Sequence, residues 1–162
     1  MSGGMLRICL LLSTLQGVAA APARAEAYSG TVRIVDADTL WVGGTKIRVF
    51  GIDAQEKRQT CELADGRAWF CGEWAAGQAR ALYQGAWAVC ERAGPDSYDR
   101  VVARCRINGA DMGARLVRDG LAEAARAFSR DYLDAGKAAL FAGRGIWRGR
   151  GQSPAAFRAA GG

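Results

Sequence analysis

Three short stretches near the beginning of the chain alternate apolar and polar residues, the period expected of a β-strand with one buried face. They lie at residues 31–34, 40–42 and 47–49. Gly43 and Gly44 separate the second stretch from the third, and they suit a hairpin turn because glycine adopts positive φ angles without a steric penalty. The sequence therefore predicts a three-stranded antiparallel unit early in the chain.

Two later stretches, Trp87–Arg92 and Val101–Ile107, are also typical of strands and flank a turn-rich segment around Pro95. Composition and capping residues predict three helices, at 73–86, near 111–119 with Gly120 as a left-handed cap, and after Ser129 as far as the glycines at 143 and 145. Five strands with one inserted and two trailing helices predict an α+β fold. We expect it to be mainly a closed five-stranded barrel of the oligonucleotide- and oligosaccharide-binding (OB) kind.

The first 25 residues have the pattern of a secretory signal peptide. Arg7 precedes an apolar run at 8–15, and Ala23-Arg24-Ala25 offers an Ala-x-Ala cleavage site. The strongly apolar part is shorter than the roughly 20 residues that span a bilayer, which disfavours the alternative of an uncleaved anchor. We therefore expect residues 1–25 to be removed, and the mature chain to be exported to the periplasm or the extracellular space, free of the membrane.

The rest of the chain is long enough for one domain, which we predict to span residues 26–147. Residues 148–162 have no periodicity and are predicted to form a flexible C-terminal tail. Because Arg7 and Arg24 leave with the leader, the net charge falls from +6 to +4. A basic exported domain suits a polyanion, but mild positive charge is common in soluble proteins and indicates no activity by itself.

Four cysteines remain after the leader is removed: Cys61, Cys71, Cys90 and Cys105. An even number in an exported chain favours disulfides, with three possible connectivities. Cys90 and Cys105 lie about equally far from a turn near residue 97, so they would face each other across an antiparallel pair. That pairing leaves Cys61 with Cys71. A zinc site is disfavoured because no two cysteines have close ligand spacing and the chain has no histidine.

Acidic residues gather where the predicted strands end. Asp36 and Asp38 would project to one side of an extended segment, and Asp53 ends a neighbouring strand. Calcium takes oxygen ligands, so two of these carboxylates with a main-chain carbonyl such as that of Ala54 would form part of a calcium site. The alternative is an ordinary solvated turn, which is the usual role of Asp-x-Asp.

Two charged side chains extend this group. Arg48 lies in an otherwise apolar strand, where it either faces solvent or directs its planar fork toward a phosphate. Glu56 follows Asp53 by three residues, close enough to contact a water bound by a cation, although an isolated loop glutamate is usually a surface residue. The combination of these residues suggests phosphoryl chemistry more strongly than any one of them.

Five segments together resemble the signature of the staphylococcal-nuclease-like (thermonuclease) family. They are Asp36-Ala37-Asp38-Thr39, Ile47-Arg48, Gly51-Ile52-Asp53-Ala54-Gln55-Glu56, Asp96-Ser97-Tyr98-Asp99-Arg100-Val101-Val102-Ala103 and Leu116-Val117-Arg118-Asp119-Gly120-Leu121-Ala122. The resemblance covers roughly residues 28–147 and follows the order of the family.

The resemblance implies an exported calcium-dependent nuclease that hydrolyses phosphodiester bonds of single-stranded DNA and RNA with low sequence specificity, and it implies no obligate protein partner. It also implies the following roles: Asp38, Asp53 and the Ala54 carbonyl as calcium ligands, Asp36 as their support, Glu56 as the group that activates water, Arg48 and Arg100 as the phosphate clamp, and Tyr98 in the nucleotide pocket. The alternatives are a catalytically silent barrel that binds nucleic acid or a saccharide, and a disulfide-stapled envelope interaction protein.

The chain departs from the family pattern in three places. Gln55 replaces a proline, so the loop that carries Glu56 is either looser or gains an amide contact. Asp99 replaces a glycine and either pairs with the neighbouring Arg100 or serves the turn. Arg126 and Phe128 stand where the family has two tyrosines, so ring stacking persists but the hydroxyl contacts are lost. Substrate preference is therefore left open.

Overall fold

The computed structural model of the protein describes residues 26–95 and 97–162. The predicted signal peptide, residues 1–25, lies outside the described residues. Across the two described ranges, no helix combines the length and the apolar character needed to cross a bilayer.

Eleven strands and four α-helices make up the described chain. In order they are β1 (Ala27–Ile34), β2 (Thr39–Val42), β3 (Thr45–Val49), β4 (Ile52–Asp53), β5 (Cys61–Leu63), β6 (Ala68–Trp69), α1 (Cys71–Tyr83), β7 (Trp87–Arg92), β8 (Val101–Ile107), β9 (Ala110–Asp111), α2 (Met112–Arg118), β10 (Glu123–Ala124), α3 (Leu133–Phe141), a 3₁₀ helix (Gly145–Arg148), β11 (Gly149–Arg150) and α4 (Pro154–Ala159).

Five strands close into a barrel, in the order β3-β2-β1-β7-β8. All neighbouring pairs are antiparallel except β3 and β8, which run parallel and close the barrel with Ile47 opposite Val101. Gly43 and Gly44 form the tight turn between β2 and β3 with φ angles of 54° and 89°. The predicted α+β fold with a five-stranded OB-like barrel is confirmed.

The barrel interior is filled by the apolar residues that alternate along these strands. Its fully or almost fully buried side chains include Val32, Leu40, Val42, Ile47, Val49, Ala88, Cys90, Ala103 and Cys105. Helix α2 adds Met112, Leu116 and Val117 to the same core, and Gly120 follows it with the predicted positive φ, 69°. The outward residues of the strands are thereby left for the charged groups described below.

The two predicted disulfides are present. Cys90 lies directly opposite Cys105 in the β7–β8 register, with their Cα atoms 4.0 Å apart. Cys61 and Cys71 join β5 to the first residue of α1, with a Cα separation of 5.6 Å. The first bridge fixes the hairpin that leads to Arg100, and the second closes the segment that follows Glu56.

Two helix boundaries differ from the sequence prediction. Helix α1 spans Cys71–Tyr83 because Gly85, with a φ of 80°, turns the chain before the predicted end at residue 86. Ser129 does not cap α3, so that prediction is wrong. Its hydroxyl accepts a hydrogen bond from the amide of Asp131 at 3.0 Å and serves a turn instead, and the helix begins at Leu133.

The last fifteen residues form regular structure where the sequence predicted none. Strand β11 pairs with β5, with Gly149 opposite Leu63, and α4 follows, so the described residues contain four α-helices instead of about three. Pro154 is buried, and the side chain of Gln59 donates to the carbonyl of Gln152 at 2.7 Å. These contacts come from distant residues, so the segment needs no periodicity of its own.

Candidate active site

Arg48 joins two carboxylates at one end of the barrel. It lies near the end of β3, where its Nη1 is 2.9 Å from Asp38 Oδ2 and its Nη2 is 2.7 Å from Asp53 Oδ1. Asp53 occupies the short strand β4, and Asp38 immediately precedes β2. Because one planar fork binds both groups, the predicted metal carboxylates and the first predicted phosphate arginine lie in direct contact.

Both carboxylate oxygens of Asp38 have partners within the protein. Its side chain is almost completely buried, Thr39 Oγ1 donates to Oδ1 at 2.8 Å, and the amide of Ala54 donates to Oδ2 at 3.0 Å. A buried carboxylate is stable only when its oxygens are paired or hydrogen-bonded. These bonds fix Asp38 relative to β4 and bring the Ala54 amide to it, while the Ala54 carbonyl as a metal ligand stays a prediction.

Asp36 lies on a tight turn. The prediction that Asp36 and Asp38 lie on an extended segment is therefore wrong. The amides of Val35 and Asp36 both donate to the carbonyl of Thr39, at 2.9 and 3.0 Å, which bends residues 35–38. Asp36 Oδ1 is buried and has no hydrogen-bond partner within the described ranges. Burial raises the pKa of Asp36, and the positive charge of Lys57 opposes that rise.

Glu56 lies on a loop that three contacts restrain. Its amide donates to Gln59 Oε1 at 3.2 Å, and the disulfide at Cys61 follows. The start of α1 approaches so closely that a Cβ on Gly72 would come within 1.8 Å of the Glu56 carbonyl oxygen. Only glycine allows this approach. The Glu56 side chain nevertheless remains 40% exposed and reaches the edge of the site.

Gln55, which replaces the proline of the family pattern, was expected either to loosen the loop or to gain an amide contact. It makes an amide contact. Its side chain is buried, and Nε2 donates to Glu123 Oε1 at 3.0 Å. Glu123 lies opposite Asp53 in the β10–β4 pairing. Burial, followed by the negative charge of Asp53, raises the pKa of Glu123 to about 7. Gln55 therefore stiffens the loop by a different means from a proline.

Arg100 approaches the same end of the barrel from the β7–β8 hairpin. Its Nη1 is 3.5 Å from Thr39 Oγ1, the hydroxyl that donates to Asp38, and its other hydrogen bonds go to Ser97 at 3.4 and 3.5 Å. Asp99 pairs with Lys46 at 2.8 Å and leaves its neighbour Arg100 alone. No described carboxylate forms an ion pair with Arg100, so its guanidinium is available to an anion.

Arg158 enters the site from α4, and the sequence analysis missed it. Its Nη2 is 2.8 Å from Asp53 Oδ2, its Nη1 is 2.8 Å from Glu56 Oε1, and Nη1 also lies 3.2 Å from Asp53 Oδ1. Hydrogen bonding to Asp53, and then to Glu56, raises the pKa of Arg158. The one local signal was Ser153-Pro154, a cap followed by a first-turn proline, which indicates a helix but not its position.

Comparison with known proteins assigns this arrangement to a family. The family described as "Staphylococcal nuclease homologue" matches residues 46–149. The chain belongs to the staphylococcal nuclease homologue family. It is also 31% identical over 142 residues to succinoglycan biosynthesis protein ExoI of Rhizobium meliloti (strain 1021), a match that covers 83% of this chain and 72% of that protein. The predicted resemblance is confirmed.

In this member of the family, a groove of about 400 Å³ lies beside Arg48. Gly51, Pro95, Val102 and Phe128 are among the residues that line it, and Phe128 is 77% exposed. An exposed ring beside an arginine suits stacking on a base. Tyr98 does not line the groove: it is 95% exposed, and its ring centroid lies 5.8 Å from the Arg100 guanidinium carbon.

The acidic group contains oxygen ligands of the kind that a hard cation takes. Among the described residues no three Asp, Glu, Cys or His side chains are grouped to hold a metal, so protein ligation would use fewer side chains. Asp38 and Asp53 both point oxygen atoms at one shared cationic group, Arg48, and Ala54 brings main-chain atoms to Asp38. Two carboxylates with a carbonyl and water are ligands that calcium accepts.

Proposed function

We propose that this protein is an exported calcium-dependent nuclease that hydrolyses phosphodiester bonds of single-stranded DNA and RNA with low sequence specificity. The main support is the convergence of Asp38, Asp53 and Glu56, hereafter the acidic centre, on shared guanidinium groups. Membership of the nuclease family supports the same reaction class. The two disulfides support an oxidising, extracytoplasmic location.

In this proposal Asp38 and Asp53, with the Ala54 carbonyl, hold a calcium ion, and Asp36 supports them from the preceding turn. Bound calcium would supply a positive charge that stabilises the phosphoryl oxygens and helps to acidify water. The carboxylates lie on different elements, but Asp38 is tied to Ala54 by a 3.0 Å hydrogen bond. The two ligand positions are therefore fixed relative to each other before a metal binds.

Glu56 acts as the general base. It accepts a proton from a water molecule as the water oxygen attacks the phosphorus atom, and the bond from phosphorus to the 5′-oxygen breaks. The departing oxygen takes a proton from solvent, which leaves a 3′-phosphate. Glu56 is suited to this role because its backbone is restrained while its carboxylate stays partly exposed at the edge of the site. General-base catalysis typically contributes about 10²- to 10⁴-fold.

Arg48 and Arg100 stabilise the negative charge that develops on the phosphoryl oxygens, because a guanidinium fork forms charge-assisted bonds with a phosphate. Arg48 is fixed by two carboxylates, whereas Arg100 has only long hydrogen bonds and the exposed Tyr98 ring beside it, so it can turn toward the substrate. A base of the substrate binds in the groove beside Arg48 and stacks on Phe128. Tyr98 lies beside Arg100.

The deciding experiment incubates the purified, disulfide-bonded protein with single-stranded DNA and separately with RNA, in calcium or in a calcium chelator. We expect both polymers to be degraded only in calcium. Binding without degradation in either condition would favour the silent barrel instead. The relative ExoI is named a succinoglycan biosynthesis protein. A succinoglycan-type oligosaccharide is therefore a useful competitor in this experiment. If it displaces nucleic acid from the protein, a saccharide-binding role is favoured.

A further inference from the structure

The C-terminal segment, residues 151–162, is built against the acidic centre. Gln59 donates to the Gln152 carbonyl at 2.7 Å, and Pro154 is buried at the start of α4. Ser153 caps the helix by accepting a hydrogen bond from the amide of Ala156 at 3.2 Å. These contacts anchor the beginning of the segment, so that α4 extends from a fixed point toward Asp53 and Glu56.

Arg158 is the residue that reaches the centre, and it binds the two carboxylates that the barrel leaves open. Both oxygens of Asp53 and one oxygen of Glu56 lie within 3.2 Å of its two terminal nitrogens. Arg48 contacts Asp53 as well, but it does so from within the strand and through Oδ1. The outward-facing oxygens of the acidic centre are therefore occupied by a cation from the same chain.

A metal ion and a water nucleophile require those same oxygens. Arg48 binds Oδ1 of Asp53 and leaves Oδ2 open, but Arg158 Nη2 occupies Oδ2 at 2.8 Å, so a calcium ion that binds Oδ2 must displace Arg158. Likewise, Glu56 Oε1 accepts a hydrogen bond from Arg158 Nη1 at 2.8 Å, so this oxygen is not free to accept a proton from water. Arg158 and the reaction proposed above thus compete for the same atoms.

We propose that the C-terminal segment is an intramolecular inhibitor, in which Arg158 holds the acidic centre closed until a calcium ion displaces it. This inference rests on the proposed function for the identity of the metal. It adds an equilibrium between a closed form, with Arg158 bound, and an open form, with residues 155–162 released. Calcium binding and release of these residues are then one linked event.

The contact of Arg158 with the acidic centre is weak enough to be released. The side chains of Arg158 and Glu56 are 43% and 40% exposed, and exposed ion pairs contribute modestly because water screens them. Helix α4 has six residues, too few to be stable without tertiary contacts. Release needs only residues 155–162 to move, because the anchor at Gln152 and Pro154 lies before them.

The first test measures calcium affinity by titration calorimetry for the wild type and for Arg158→Ala. We expect Arg158→Ala to bind calcium at least about 5-fold more tightly, the lower end of typical coupling between sites. Arg150→Ala is the matched control: it removes one positive charge from the same C-terminal region, where Arg150 pairs with Glu62 at 2.7 Å outside the centre. The control should bind calcium like the wild type, and equal affinity in all three proteins would overturn the inhibitor.

The second test follows amide hydrogen exchange in residues 155–162 of the wild type. Calcium should increase exchange there while leaving the barrel strands protected, and unchanged protection would overturn the proposal. A fall in calcium-saturated turnover of Arg158→Ala without a change in calcium affinity would assign Arg158 to substrate binding and also overturn it. Should neither protein bind calcium, the metal in the proposed function is wrong, whereas calcium binding with equal affinity rejects the inhibitor alone.

Discussion

The strand-held side of the acidic centre, with Asp38 and Arg48, differs from the loop-held side, with Glu56 and Arg100. Asp38 is buried, and Arg48 binds two carboxylates at 2.9 and 2.7 Å. Glu56 is 40% exposed, and Arg100 has hydrogen bonds of 3.4 Å or longer. Groups that position a cation need rigidity, whereas groups that handle water and substrate need access. The difference suggests a division of work between a fixed platform and adjustable reactive groups.

The largest expected effect is on catalysis at the loop-held side. Replacing Glu56 by Gln preserves size and hydrogen-bonding capacity but removes the base, so turnover should fall about 10²- to 10⁴-fold with little change in nucleic-acid affinity. The measurement is the initial rate of single-stranded DNA degradation at saturating calcium. Glu62→Gln is the control, because Glu62 is a neighbouring partly exposed glutamate that contacts only Arg150 among the ion pairs of the described chain. A normal rate for Glu56→Gln would remove Glu56 from the mechanism.

The next effect separates the two arginines by their contribution to stability. Arg48→Ala leaves the buried carboxylate of Asp38 without its ion pair, so the free energy of unfolding should fall by roughly 3 kcal/mol. Arg100→Ala should cost less than about 0.5 kcal/mol, because it removes only long, partly buried hydrogen bonds. Urea unfolding in the presence of a chelator measures both. Both variants should nevertheless degrade nucleic acid slowly, because each loses a group that stabilises the phosphoryl charge.

Equal losses of stability in Arg48→Ala and Arg100→Ala would contradict the proposed difference between the two sides of the acidic centre. The strand-held side would then be no more structural than the other, and the burial of Asp38 would have to be compensated by Thr39 and Ala54 alone. A loss confined to Arg48→Ala would instead confirm that this arginine serves both the fold and the reaction.

Local patterns in the sequence predicted the barrel strands of the strand-held side. The alternation around Leu40 and Ile47 predicts which strand faces are buried, and the Gly43-Gly44 turn sets their register. The equal spacing of Cys90 and Cys105 from their turn is another local pattern, and it predicted a cross-strand bridge. The sequence did not predict β4, whose pairing with β10 holds Asp53 where it meets Arg48.

The loop-held side was harder to predict because its contacts are distant in sequence. Arg158 binds Asp53 across 105 positions, and no periodicity in residues 148–162 indicates where α4 packs. The partner of Gln55 is Glu123, 68 residues away, which only the β10–β4 pairing brings near. Ser129 was wrongly predicted to cap α3 because a serine followed by polar residues suits a helix cap and a tight turn equally well.

The smallest expected effect is on the pH dependence of the free energy of unfolding. It reports how well water is excluded from the strand-held side. Burial and the charge of Asp53 raise the pKa of Glu123 from 4.5 to about 7. Between these values the folded protein binds more protons than the unfolded chain, so the stabilisation present below pH 4.5 is lost as the pH rises through 7. Glu123→Gln removes the titrating group and keeps an oxygen that can accept the Gln55 hydrogen bond.

We therefore expect the free energy of unfolding, measured in chelator, to decrease between about pH 5 and pH 7.5 in the wild type. This decrease should exceed that of Glu123→Gln by on the order of 1 kcal/mol. The difference is modest because water partly screens this carboxyl. Glu91→Gln, at an exposed position on β7, should keep the slope of the wild type. Parallel slopes for wild type and Glu123→Gln would mean that water reaches the pairing of β4 with β10. In that case Asp53 would be less firmly held than Asp38, and the boundary between the fixed and the adjustable parts of the site would run between these two carboxylates.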